Sequence, residues 1–335
     1  MWSSFLSVVG AAPIQASGEY SITLLIFALQ DFGESGVNVM AIVILSRGKC
    51  GLSTCITRYL VAMAMADLLV VINEVILYRI SYSYFRGSFL DITPACSVII
   101  VLSHVSTNTS VWFTVTFTFD RFVAICCRKL KTKYCSQQTA AVVITTTCIL
   151  ICLKSVPFYF TLEPREVIDH VPWDCLTKES YFSEPGWMAF DWFDSVLTPL
   201  LPFALILLLN ALTVRYILAA SRVRKGLRGQ SEGEIHTDPE MESRRKSVIL
   251  LFTVSGSFIL LWLTTVIEFL YHNITQANYA DYNDSQIIFE QVGYMLQISS
   301  SCTNTFIYGV TQTRFREQFK ILVSSPVKLI VKLIK

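Results

Sequence analysis

Long stretches of this chain are apolar without interruption, and the charged residues gather in the gaps between them. From Cys96 to Phe119 there is no Asp, Glu, Lys or Arg, and then Asp120 and Arg121 stand side by side. One helix needs about 20 apolar residues to cross a bilayer core. Seven stretches reach that length, at about 21–46, 58–80, 96–126, 137–161, 188–219, 246–271 and 286–310. Most linkers are short; the longer ones cover about 162–187 and 220–245. The pattern predicts an all-α membrane protein, a seven-transmembrane helix bundle over 21–310. Residues 1–20 precede it, and 311–335 follow it as a tail. The end of that tail, "SSPVKLIVKLIK", mixes apolar residues with lysines and is expected to lie on the membrane surface.

Composition points the same way. Charged residues make up 16% of the chain, against about 25% in a soluble domain. The formal net charge of +2 gives no case for a nucleic-acid partner. The placement of basic residues carries more information. If the amino terminus faces outward, 22 of the 27 Lys and Arg fall on the inner side, and only Arg79, Arg86, Arg165 and Lys178 lie outside. The remaining one, Lys154, sits near the outer end of the fourth span. That bias sets the topology, with an extracellular amino terminus and a cytoplasmic carboxy terminus. The first 20 residues have small residues at Gly10 to Ala12 but no positive start and only a short apolar core. The first span is therefore read as a signal-anchor.

Of ten cysteines, only Cys96 and Cys175 fall on the outer side, where disulfides persist. A bridge between them, favoured over two free thiols, pins the long second outer loop to the top of the third span. Asn273 and Asn283 head glycosylation sequons beside the last outer loop; Asn108 heads a third, at a depth where it is inert.

A charge at bilayer depth is costly and usually faces the bundle with a partner. Asp67 is the clearest case. Asn38, Ser110, Ser300, Ser301 and Asn304 lie at comparable depth and form one polar cluster with it. Either the cluster ties helices together, or Asp67, Ser110, Ser301 and Asn304 hold a small cation such as sodium. Glu74 is seven residues above Asp67, two helical turns and the same face. It is the leading candidate to meet a cationic ligand. Ser103, His104, Thr107, Trp262, Thr265, Phe269 and Tyr294 lie between the outer acids, Asp194 among them, and are expected to line an upward-opening cavity. A helical His such as His104 also reads as a packing residue. Asp191, Glu268 and Glu290 read as solvated acids. Asp31 and Glu34 have no assigned role.

Other classes find little support. No His/Glu metal pattern, nucleophile elbow or phosphate-binding glycine loop is present, and Cys126–Cys127 lacks zinc-ligand spacing. The seventh span holds no lysine for a retinal Schiff base, and no matching halves mark a transporter.

Motifs in order along the chain resemble the rhodopsin-like (class A) G-protein-coupled receptors. They are Asn38 in "GVNVMAIVIL", Asp67 in "LVAMAMADLL", Cys96, "DRF" at Asp120, Cys175 in "PWDC" and Pro202. Phe258 and Trp262 in "FILLW", "NTFIY" from Asn304 to Tyr308, and "FREQF" as the start of an amphipathic eighth helix complete the set. Within that family the third and second spans look like the orphan G-protein-coupled receptors numbered 139 and 142. The resemblance implies a plasma-membrane receptor for an extracellular small molecule or peptide, an aromatic amino acid included. It implies coupling to a heterotrimeric G-protein through Asp120, Arg121, Phe258, Trp262, Asn304 and Tyr308. No cofactor is implied beyond an allosteric sodium ion. Inner basic loops add attraction to anionic lipid.

The chain departs from the pattern in five places. Thr264 and Thr305 stand where the family has prolines, and the fourth span lacks its usual tryptophan. Asn210 replaces the tyrosine that meets the freed arginine, and Arg244 replaces an acid that latches Arg121. Lost prolines remove the kinks that shape helix movement. The alternative is therefore a receptor-like binding or chemosensory protein with weak or absent G-protein signalling.

Overall fold

The computed structural model describes residues 35–81, 85–228, 239–275 and 283–334. The segment at 1–20, the start of the first span, and Asp31 and Glu34 lie outside the described residues, and so does the side chain of Arg244. The chain is mostly helical. It begins with α1 (Ser35–Ser46) and α2 (Thr54–Val70), which continues as a wider π-helical segment, Val71–Ile80. Next come α3 (Thr93–Cys126), a short helix Arg128–Tyr134, and α4 (Gln137–Ser155), which tightens into a 3-10 segment, Val156–Thr161. The fifth span is α5, built from Pro185–Ser195, a π-helical turn Val196–Leu200 and Leu201–Arg228. Then follow α6 (Pro239–Thr275), α7 (Asp284–Thr311) and α8 (Thr313–Ile334).

Local chemistry sets several of these boundaries. Ser53 and Ser136 accept hydrogen bonds from the backbone N–H groups of Ile56 and Thr139, capping α2 and α4. Asn283 and Gln286 form a reciprocal capping box at the start of α7, with both bonds at 2.9 Å. Asn283 is also one of the expected glycosylation sites, and it is exposed; the side chain of Asn273 lies outside the described residues. Gly51, with φ +70°, turns the first inner loop beneath the Arg314 side chain of α8, where a Cβ would collide.

Among the described residues, α2 to α6 are long and apolar enough to cross a membrane. The other two spans have separate reasons for missing that standard. α1 is described only from Ser35, and α7 is rich in Ser, Thr, Asn and Gln along its inner half. α3 runs through the centre. Its Phe113 and Phe117 pack with Ile44, Tyr59, Met63, Leu250 and Tyr308 in the inner half of the bundle. Val111 and Val115 join Ile206, Phe258 and Trp262 nearer the middle. α4 is the least buried of the long helices. Lipid tails are as apolar as Leu, so close packing and polar ties, rather than a hydrophobic drive, hold such helices together.

Outside the membrane, the second outer loop folds as two antiparallel strand pairs. β1 (Leu162–Glu163) pairs with β4 (Leu176–Thr177), and β2 (Glu166–Ile168) with β3 (Val171–Trp173). The Cys96–Cys175 disulfide fastens this loop to the top of α3. Thr93 adds a bond from its hydroxyl to the Asp174 carbonyl at 2.6 Å. Tyr181 donates to Asp191 at 2.8 Å. Burial, and then that carboxylate, push the Tyr181 phenol above its usual range, so it stays a donor.

Candidate functional site

The polar residues of the bundle interior fall into three levels. The upper level is a small cavity whose wall includes Glu74, Thr107, Trp262, Tyr294, Gln297 and Ser300. Glu74 is 1% exposed and accepts a hydrogen bond from the Tyr294 hydroxyl at 2.8 Å. Trp262 donates from its indole N–H to Ser300 Oγ at 3.0 Å, and Ser300 donates to the Gln297 carbonyl at 2.6 Å. The Thr107 hydroxyl is buried and has no partner among the described residues.

Five expected lining residues are not part of this wall. His104 is fully buried with its ring stacked on Phe158, centroids 3.9 Å apart, so it faces the end of α4. Thr265 donates to the Gly293 carbonyl at 3.1 Å and ties α6 to α7. Asp194, itself buried, forms a part-buried ion pair with Lys154 of α4. Ser103 and Phe269 are buried elsewhere in the outer half. Gln297 is a lining residue with no expected role, although positions 294, 297 and 301 recur at helical spacing on one face of α7. Ser300, expected beside Asp67, is bonded instead to Trp262 in this wall. Lys154 also gives a signal, as a lone cation ending an apolar run.

The middle level surrounds Asp67, which is fully buried. Ser110 donates to one carboxylate oxygen, and Asn304 Nδ2 to the other at 3.0 Å. Both donors are neutral, and no described cationic side chain pairs with Asp67. Ser110 and Ser301 also reach the cavity above. The Asp67 carboxylate and the Ser110 hydroxyl are oxygen donors of the kind a small hard cation prefers, whereas Asn304 turns its amide nitrogen toward the carboxylate. Asn38 serves a different purpose: its Nδ2 donates to the Ser301 carbonyl at 3.1 Å, and its Oδ1 accepts from Thr305 at 2.8 Å.

The lower level lies at the inner end of α3. Asp120 and Arg121 are 0% and 4% exposed and form an ion pair, with Arg121 Nε donating to Asp120 Oδ2 at 2.9 Å. The Cys55 thiol donates to the other carboxylate oxygen at 3.3 Å, and the Cys135 thiol to the Asp120 carbonyl at 3.7 Å. Burial, and then Asp120, push the Cys135 thiol up to about 11, so it remains a neutral donor. Along the chain these thiols read only as reduced cysteines near the cytosol; nothing in their spacing marks Asp120 as their target. Phe258 stacks on Trp262, centroids 5.3 Å apart, one helical turn below it on α6. Tyr308 is fully buried edge-on to Phe315, and its hydroxyl has no partner among the described residues.

The family model described as 7 transmembrane receptor (rhodopsin family) matches residues 37–308. The chain belongs to this family. The receptor is 26% identical over 293 residues to neuropeptide receptor 22 of Caenorhabditis elegans, covering 84% of this chain and 64% of that protein. It is 25% identical over 282 residues to G-protein coupled estrogen receptor 1 of Mus musculus, covering 81% and 66%. It is 24% identical over 300 residues to the FMRFamide receptor of Drosophila melanogaster, covering 85% and 50%. The chain thus spans between half and about two thirds of the length of these relatives. The family is one of multi-pass membrane receptors, not enzymes.

Knowing the family gives the departures a structural meaning. α6 and α7 run unbroken past Thr264 and Thr305. At the second position the threonine hydroxyl, bonded to Asn38, ties α7 to α1 where a proline would carry no donor. Asn210 does not reach toward Arg121; it is hydrogen-bonded to Ser255 of α6.

Proposed function

We propose that this receptor, at the plasma membrane with its amino terminus outside, binds an extracellular ligand with a cationic group and activates a heterotrimeric G-protein. The observation that carries the reading is the buried Asp120–Arg121 pair at the inner end of α3. Asp120 holds Arg121 in the resting state by charge-assisted hydrogen bonds. Ligand binding at the Glu74 cavity favours a bundle in which α6 swings outward and Arg121 turns to meet the G-protein. A ligand shifts that equilibrium only by its differential affinity for the two states. Trp262 belongs both to the cavity wall and to the Phe258 stack, so it is the natural relay between them.

The ligand class is an aromatic amino acid or a short peptide. Glu74 supports recognition of an ammonium or guanidinium, and the likeness to receptors named for neuropeptides supports a peptide. The resemblance of the second and third spans to the orphan receptors numbered 139 and 142 supports the amino acid. Asp67, Ser110, Ser301 and Asn304 hold an allosteric sodium ion in this reading, which supplies the positive charge that the neutral donors lack. The inner basic loops and the tail contact anionic lipid, and Asn273 and Asn283 carry glycans.

The test is Arg121→Ala, which abolishes G-protein recruitment while surface expression survives. Unchanged recruitment in that variant sinks the reading. Ligands are sought by G-protein dissociation with aromatic amino acids and short basic peptides. A second reading, a receptor-like binding or chemosensory protein that signals weakly, is favoured by the unbroken α6 and α7. Thr264→Pro combined with Thr305→Pro separates the two: a large gain in signalling supports a coupling scaffold, and no gain supports the second reading.

A further inference from the structure

α6 packs most closely along α7 and meets α5 at fewer positions. That smaller interface carries a polar pair. Asn210 Nδ2 donates to Ser255 Oγ at 2.8 Å, and the Ser255 hydroxyl lies 3.1 Å from Asn210 Oδ1 and 2.7 Å from the Leu251 carbonyl. One hydroxyl proton cannot serve both acceptors fully, so it is shared between its own helix and α5. Ser255 is fully buried, as are Leu251 and Val254 beside it and Ile206 on α5. In such surroundings an amide or hydroxyl that loses its partner finds no water to replace it. Separating α5 from α6 at this depth therefore carries a penalty that an apolar contact would not impose.

We propose that Asn210 and Ser255 form the resting tie of α6, holding it against α5 and opposing its outward movement. The inference rests on the activation by α6 movement proposed above, and its test reads that movement without ligand or G-protein. In the resting bundle Arg121 is held by Asp120 and α6 by Asn210, so two separate restraints must yield. Both are positioning roles, since neither Asn210 nor Ser255 touches the ligand cavity.

The experiment uses the full chain in lipid nanodiscs, with donor and acceptor fluorophores on non-canonical amino acids at Gln138 of α4 and Arg245 of α6, both exposed. Single-molecule energy transfer gives the ratio of long-distance to short-distance states. Ser255→Ala and Asn210→Leu are each expected to raise that ratio about two- to tenfold, the range of one interhelical hydrogen bond. The double variant goes no further than either single one, because both delete the same bond. Ser255→Thr, which keeps the hydroxyl, stays at the parental ratio. An unchanged ratio in Ser255→Ala, additive effects in the double variant, or a Ser255→Thr that behaves like Ser255→Ala would each overturn the tie. If Asn210→Leu does not fold, Ser255→Ala and Ser255→Thr still decide the question. A raised ratio without G-protein recruitment keeps the tie and removes the coupling; recruitment with an unchanged ratio does the reverse.

Discussion

Two ion pairs, one fully buried and one part-buried, stand at opposite ends of the bundle, and they differ in what they join. Lys154 and Asp194 come from α4 and α5, so their attraction holds two helices together in the outer half. Asp120 and Arg121 are neighbours at the inner end of α3, and their attraction holds no second helix. An interhelical pair is lost only when the helices part. An intrahelical pair can be exchanged for another partner with little disturbance to the packing around it. The first arrangement suits a fastening and the second a switch, although both bury a carboxylate against a cation.

The strongest way to break this comparison is to remove one member of the outer pair. Lys154→Ala leaves Asp194 buried without its counter-charge, at an expected cost of about 3–5 kcal/mol. Thermal denaturation in detergent and surface expression both report it. Replacing the pair together, Lys154→Met with Asp194→Leu, is expected to recover most of the loss, because an apolar contact carries no desolvation penalty. A Lys154→Ala variant as stable as the parent removes the fastening.

Glu74 extends the comparison to a carboxylate that faces a cavity. Glu74→Gln keeps the shape and a hydrogen-bond acceptor for Tyr294 but deletes the charge. The potency of a cationic ligand is expected to fall by about 1.5–3 kcal/mol, roughly ten- to a hundredfold. Potency is read from G-protein dissociation against ligand concentration. The same potency in both proteins takes Glu74 out of the site.

Charge placement makes much of this legible along the chain. A charge inside an apolar run is costly, so Asp67, Glu74, Asp120, Arg121 and Lys154 each stand out against their apolar neighbours. Periodicity then puts Glu74 on the face of Asp67, and the oxygen-bearing residues of α3 and α7 at matching depth. Helix rotation and lateral neighbours are not legible. Lys154 and Asp194 each fall near an outer helix end, but nothing along the chain brings them together. The same holds for Asn210 with Ser255 and for Cys55 with Asp120. Each of these contacts depends on how two helices turn toward each other, which the 3.6-residue period leaves open. The π-helical segment at Val71–Ile80 has no signature either, since its residues look like an ordinary continuation of α2.

The inner pair has a milder expected response than the outer one. Asp120→Asn removes the charge but leaves an acceptor for Arg121, so the resting state loses about 1 kcal/mol, roughly fivefold in the active-to-resting ratio. Basal G-protein recruitment should rise by that factor while thermal stability changes less than in Lys154→Ala. No rise at normal surface expression means that Arg121 is restrained by something other than Asp120. A fall in stability as large as that of Lys154→Ala means that the inner pair is a fastening too, and the contrast fails.

A neutral interhelical tie is the weakest form of fastening, and Thr305 provides one. Its hydroxyl donates to Asn38 Oδ1 at 2.8 Å, joining α7 to α1 where the family's proline has no donor. Thr305→Val keeps the volume and the β-branch and removes only the hydroxyl. Interhelical hydrogen bonds in a membrane average about 0.6 kcal/mol, and Asn38 keeps its bond to the Ser301 carbonyl. The expected loss is therefore below about 1 kcal/mol, about a fifth of the upper figure for Lys154→Ala. Thr305→Pro differs, because it also deletes a backbone donor inside a continuous helix and bends α7. If Thr305→Val destabilises the receptor as much as Lys154→Ala does, charge is not what distinguishes a strong fastening from a weak one in this bundle. If it costs almost nothing while Thr305→Pro raises signalling, the straight course of α7, and not its tie to α1, is what restrains activation.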